Sequence, residues 1–319
     1  MILAADIGGT TCKLGIFDAS LKQVEKWQIP TDTSREGSGI LEAVHMSFKQ
    51  KLEESGLGYG DCRGIGIGVP GPVDFSTGIV NGAINLNWRT HKNIRQEFER
   101  FSGIPAVVDN DANLAALGEQ AFGAGKGHGD VVMLTLGTGV GGGIIAGHHL
   151  VHGAHGSAGE IGHMKVAVGE NFKCNCGGTG CLESVASTIG LKNLALKYSG
   201  DFESSALKTH IEDGSLKAIT VFKNAEAGDP LSLFLVDKMS FYLGVGISSL
   251  ASLTNPSHII IGGGLSRAGD FLLGRVRTYF EEYAFPPAAE GTEIVPAELG
   301  NDAGIYGAAK IVAQYTGHK

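Results

Sequence analysis

Twice in this chain an apolar strand enters a glycine-rich turn and leaves it as another strand, and no other feature narrows the fold as much. The first copy runs from Ile2–Asp6 through Gly8-Gly9-Thr10 to Lys13–Phe17. The second follows Val131–Leu136 into a turn over Gly137–Gly143, with Ile144-Ile145 opening the returning strand. Apolar runs bounded by turn residues predict hairpins. A dinucleotide-binding turn would open a helix instead, and the chain contains no G-x-x-x-x-G-K-[ST] loop. Without a Cβ, successive residues let backbone N–H groups come close to an anion, so two such hairpins together suit a triphosphate. Singly, each reads equally well as a structural turn.

The remaining pattern is that of an α/β protein in two halves of related topology. Residues 40–55 place Leu41, Val44, Phe48 and Leu52 at helical spacing. Strands are predicted at Gly64–Val69, before Pro70-Gly71-Pro72, at Ala106–Asp109 and at His258–Ile261, before Gly262-Gly263-Gly264. Helices are predicted over Ala112–Phe122, with Asn110 or Asp111 as cap, over Leu231–Leu253 and over Ala303–Tyr315. With 319 residues, 43% of them hydrophobic, the chain has material for about two domains.

Charge and composition exclude several classes. Acidic side chains number 33 against 25 lysines and arginines, a net charge of −8, which argues against a nucleic-acid partner. Met1–Ala5 is an apolar strand without the basic region of a signal peptide. The apolar stretch Leu231–Leu253 is interrupted by Asp237 and Lys238, so no membrane span is expected and a cytoplasmic location is.

Three of the five cysteines, Cys174, Cys176 and Cys181, crowd together downstream of His163. One imidazole and three thiolates make a closed tetrahedral set, which predicts structural Zn²⁺ in a reducing compartment. Cys12 and Cys62 read as core residues, and His148, His149, His152 and His155 as a polar loop without a metal. Asp6, ending the first strand, suits Mg²⁺ held through water, with Thr10, Thr11 and Thr138 as further polar contacts. Asp111 stands where a strand meets a helix N-terminus, whose positive end is expected to keep it ionised. It reads equally as the helix cap or as a base for a phosphoryl-accepting hydroxyl. Glu160 and Glu183 flank the cysteine loop and read as solvated charges or as acceptors for sugar hydroxyls.

Taken together, these residues resemble the ROK family (repressors, open reading frames and kinases). The resemblance spans the chain through Asp6–Thr10, Pro70–Pro72, Asp109–Asn113, Leu136–Gly143, Gly159–His163, Gly180–Glu183, Gly300–Gly304 and Gly307–Ala309. It implies an actin-like (ribonuclease H-like) two-lobed sugar kinase fold: residues 1–117 completed by the C-terminal helix 303–319, and residues 118–302 carrying the zinc loop 163–183. It implies ATP-dependent phosphorylation of a hexose with Asp111 as base, and Gly71, Asn110, Glu160, His163 and Glu183 around the sugar. ATP and its Mg²⁺ would lie on Asp6, Gly8, Gly9, Thr10, Thr11, Gly137, Thr138 and Gly139, with Gly262 and Gly263 near the adenosine. Asn85-Leu86-Asn87-Trp88 is similar to the bacterial glucokinase pattern, which adds Asn85 to the sugar contacts, although family glucokinases often carry proline at the position of Asn87. Glucose is therefore the expected substrate, ahead of fructose, mannose or N-acetylmannosamine. The family's repressors carry an additional N-terminal DNA-binding domain; with the first hairpin already at Asp6 none is expected here, and a regulator without catalysis is the less expected reading. A homodimer or homotetramer is the expected assembly.

Overall fold

The computed structural model describes residues 1–316; Gly317, His318 and Lys319, the end of the expected last helix, lie outside them. The first half runs β1 (Ile2–Ile7), β2 (Thr11–Phe17), β3 (Gln23–Pro30), α1 (Ile40–Glu54) and β4 (Ile65–Val69). A small ribbon of β5 (Val73–Asp74), β6 (Ile79–Val80) and β7 (Lys92–Asn93) follows, then α2 (Ile94–Ser102), β8 (Ala106–Asn110) and α3 (Asp111–Phe122). The second half runs β9 (Val131–Leu136), β10 (Val140–Ala146), β11 (His149–Leu150), α4 (Thr188–Tyr198), α5 (Ala218–Glu226) and α6 (Pro230–Thr254). It ends with β12 (His258–Gly262), α7 (Asp270–Tyr283), β13 (Glu293–Pro296) and α8 (Ala303–Tyr315).

The larger sheets repeat one design: strand order is β3-β2-β1-β4-β8 in the first and β11-β10-β9-β12-β13 in the second. In each, an antiparallel meander is continued by two parallel strands. Antiparallel neighbours need only a turn, whereas the parallel ones need the helical crossovers that cover the outer faces.

Between the sheets lie α3 and α8. Leu114 and Leu117 of α3, with Ile305 and Ile311 of α8, share a core with Ile2, Val131, Met133 and Ile260 from both sheets. Glycine makes this layer thin enough. A side chain at Gly66 of β4 would collide with the backbone of Ala308, one at Gly118 with Ala303, and one at Gly307 with Leu114. The backbones touch directly, and the N-terminus of α3 comes to the mouth between the sheets.

α6 is long and apolar enough to cross a membrane, by length and composition alone. Here it is a core helix, with Leu235, Met239, Leu243 and Ile247 buried in the cluster that fills the second half. Asp229 caps it by accepting from Ser232 N at 2.8 Å, and Pro230 occupies its first turn.

Candidate active site

At the tip of the first hairpin Gly8 N donates to Thr11 O at 3.0 Å, and a Cβ on Gly9 would press on Asn85 O. Thr31 braces this turn, its backbone N–H donating to Thr10 O at 2.9 Å and its hydroxyl to Gly8 O at 2.7 Å. Asp6 is paired in register with Lys13, whose Nζ lies 3.5 Å from Asp6 Oδ2 and donates to Asn301 O at 2.6 Å. Burial raises the Asp6 carboxyl above its ordinary range, and Lys13 offsets this only in part.

The second turn is shorter than its glycines suggest. Only Gly137, Thr138 and Gly139 form it, closed by Gly137 N donating to Gly139 O at 3.0 Å. Gly141, Gly142 and Gly143, expected in the turn, are strand residues of β10. They are glycine because side chains there would strike Ala112, Ile161 and Ala116. Gly139 faces Glu183 so closely that a Cβ would stand 2.6 Å from its Oε2. Gly262 ends β12, and Gly263, at φ +86°, rests against the backbone of Leu136 at the base of this turn.

Asn110, and not Asp111, caps α3: its Oδ1 accepts from Ala112 N at 2.9 Å and Asn113 N at 3.2 Å. Its Nδ2 donates to Gly71 O at 3.1 Å, so both ends of the amide are engaged. Asp111 is left as the first helical residue, accepting from Ala112 N at 2.9 Å. Its pKa is pushed up to about 6 by burial, then by Asp6, with Glu160 adding to the rise. The N–H of Ala112 at the helix end lowers the pKa, as expected, but burial and neighbouring charge outweigh it, so Asp111 stays mostly ionised at neutral pH with less margin than an ordinary carboxylate. Asn110, Asp111 and Glu160 line one cavity with Pro72, Asn113 and Gly159.

Asn85 lies in a helical turn, Ile84–Leu86, on the far side of Gly9. Trp88 Nε1 donates to Gly37 O at 3.0 Å and anchors this segment. Asn87 takes φ +57°, a left-handed conformation open to asparagine and closed to proline, so the loop is shaped differently from one carrying proline there.

In the cysteine loop the ligand atoms of His163, Cys174, Cys176 and Cys181 all lie within 4.8 Å of one another. Cys174 Sγ is 3.5 Å from His163 Nδ1, and Cys176 Sγ is 3.6 Å from Cys181 Sγ. Zinc bonds of ~2.0 Å to nitrogen and ~2.3 Å to sulfur at tetrahedral angles set edges of roughly 3.5–3.8 Å, so the set fits the ion. Three thiolates around a dication leave a negative charge, which Lys165 Nζ, 2.8 Å from Cys181 Sγ, offsets. His163 Nε2 turns the other way, to 3.8 Å from Glu160 Oε2, while Nδ1 lies 3.9 Å from Glu183 Oε1. The imidazole thus links the cysteine cluster to both carboxylates. Buried Glu170 pins the loop by accepting from Lys197, Tyr198 and Tyr242 at 2.7, 3.0 and 2.6 Å.

Residues 2–315 match the ROK family. The chain belongs to it. A glucokinase of Halalkalibacterium halodurans is 42% identical over 98% of this chain and 94% of its own. A ROK family glucokinase from Streptomyces griseus, solved with glucose and AMPPNP, shares 34% identity and a TM-score of 0.75 over 98% of this chain and 99% of its own. A ROK hexokinase from Thermus thermophilus superposes with a TM-score of 0.80 at 30% identity, covering 97% of this chain and 96% of its own. The ROK fold is the actin-like, two-lobed arrangement, and the repeated sheet order is its signature in this chain.

Four residues escaped the sequence reading. Lys13 and Lys165 are single cations whose partners, Asp6 and Cys181, lie at other points of the chain. Asn113 donates its Nδ2 to Asp109 at 3.0 Å. His152, read as part of a polar loop, places Nε2 2.7 Å from Asp109 Oδ2.

Proposed function

We propose that this chain transfers the γ-phosphoryl group of ATP to the 6-hydroxyl of glucose, with Asp111 as the base. One observation carries the reading. Because Asn110 supplies the cap, Asp111 has no structural duty that requires a carboxylate, yet it sits half-buried in the cavity with a pKa near 6 beside Glu160 and Asp6. A group tuned close to neutral pH at the mouth of a helix suits proton acceptance.

In this reading Glu160, His163 and Glu183 receive the sugar hydroxyls, with Asn85, Asn110 and Gly71 completing the pocket. The turns at Gly8, Gly9, Thr10 and Thr11 and at Gly137, Thr138 and Gly139 hold the phosphates, and Gly262 and Gly263 flank the adenosine. Mg²⁺, when bound, supplies charge neutralisation on the phosphates. Asp6 suits it, since a dication would relieve both its own raised carboxyl and the repulsion it exerts on Asp111. Zn²⁺ would be structural, its four protein ligands fixing the loop that aims His163 and Glu183. None of the five cysteines is in a disulfide, which suits a reducing compartment, and we place the enzyme in the cytosol as a homodimer or homotetramer.

A coupled assay of purified enzyme with ATP against glucose, fructose, mannose and N-acetylmannosamine tests the substrate. Glucose should give the highest kcat/KM. A higher value for another sugar would overturn the choice of glucose and leave the kinase; no turnover with any hexose would overturn both.

A further inference from the structure

We infer that His152 is a positioning residue for this transfer, one that registers the loop carrying Glu160 against the strand end carrying Asn110 and Asp111. The inference rests on the sugar-kinase reading and adds a residue to it.

Asp109 is the centre of the arrangement. It stands one residue before the end of β8 and is 1% exposed, where a carboxylate is stable only if its oxygens are fully engaged. Oδ1 accepts from Asn110 N at 2.7 Å and Asn113 Nδ2 at 3.0 Å, both local. Oδ2 accepts from His152 Nε2 at 2.7 Å, and this partner arrives from 43 residues away, beyond β11 of the other sheet.

His152 also begins the segment that delivers Glu160. Ala158 N donates to His152 O at 3.1 Å and closes it into a compact loop. Gly153, Gly156 and Gly159 turn it with φ of +71°, +73° and +89°. Gly156 passes so close to the Val73 carbonyl that no side chain would fit. At the far end Gly159 packs against Asn113 Oδ1, and Asn113 is itself held by Asp109. Both ends of the loop therefore converge on one carboxylate. Phe75 keeps the imidazole flat, stacked at a centroid distance of 4.2 Å and 17° between planes. Losing the His152 bond frees the start of the loop, and Glu160 then shifts relative to Asp111.

His152→Asn and His152→Gln separate this role from packing. The Asn amide reaches only to the level of Nδ1 and misses Asp109, whereas the Gln amide reaches the level of Nε2. For His152→Asn, KM for glucose should rise and kcat fall by roughly tenfold each, the loss typical of a partner that orients a working group. KM for ATP should stay within about twofold, since the phosphate turns lie elsewhere. His152→Gln should recover most of the loss. Wild-type turnover, measured alongside, reports separately on the sugar-kinase reading. If His152→Asn does not fold, His152→Ala assayed well below its melting temperature takes its place. The inference is overturned if the folded variant only melts earlier with unchanged glucose kinetics, or if His152→Gln is as impaired as His152→Asn.

Discussion

The turn between β1 and β2 and the turn between β9 and β10 close hairpins on sheets of the same strand order, yet their penultimate pairs differ in kind. In the first, Asp6 stands opposite Lys13; at the equivalent place in the second, Thr135 stands opposite Gly141. The first pair is charged, and its carboxyl is raised by burial. The second is uncharged and nearly bare on one side, because a Cβ on Gly141 would touch Ala112, the neighbour of Asp111. A shared fold has been put to two uses: the first hairpin offers a charge that suits a cation, and the second gives up its side chain so that the helix bearing Asp111 seats closely. Each tip also leans on a different one of the proposed sugar contacts, Gly9 on Asn85 and Gly139 on Glu183.

That division can be broken from either side. Asp6→Asn should lower kcat by roughly 10²–10³-fold, the scale for losing one well-placed electrostatic stabiliser, and should raise the Mg²⁺ needed for half-maximal rate. Thr135→Val, its counterpart, should leave both nearly unchanged; equal losses in steady-state assays would erase the distinction. Cys176→Ala should release zinc and cost about ten- to a hundredfold in activity, since Glu183 and His163 lose their support. Metal analysis and melting curves check this, and a zinc-free variant with full activity and unchanged melting would contradict it. Gly141→Ala should cost about tenfold in kcat by displacing the start of α3, with Mg²⁺ dependence unaltered. A shift in Mg²⁺ dependence instead would assign Gly141 to the phosphate side.

The sequence revealed elements wherever one cause dominated. Apolar runs such as Val131–Leu136 and the helix that became Pro230–Thr254 read directly, because burial alone decides them. Gly137–Gly143 did not, because a turn and a tightly packed strand both require glycine, and the letters do not say which. The four zinc-ligand candidates were legible as residue types and spacing within a single loop. His152 was hidden among neighbouring histidines, since what distinguishes it is a carboxylate 43 positions away. Asp111 was singled out for its place at a strand–helix junction, but the rise in its pKa was not foreseen. The helix terminus is a local feature visible in sequence; the burial and the approach of Asp6 that outweigh it come from the assembled sheets.

The central claim, that Asp111 takes the proton, is tested most directly by the pH profile of kcat/KM for glucose in the wild type and in Asp111→Asn. Only the ionised carboxylate accepts a proton, and its pKa in the free enzyme is raised to about 6. With glucose and MgATP both well below saturation, so that the rate reports the free enzyme, wild-type kcat/KM should therefore be constant above that pH and fall tenfold per unit below it. Asp111→Asn keeps the oxygen that accepts from Ala112 N, so the helix start is retained while the base is lost. The account predicts a drop of roughly 10²–10⁴-fold in kcat together with disappearance of the acid limb near pH 6. An Asn variant that keeps more than about a tenth of wild-type turnover, or the same acid limb, would contradict it.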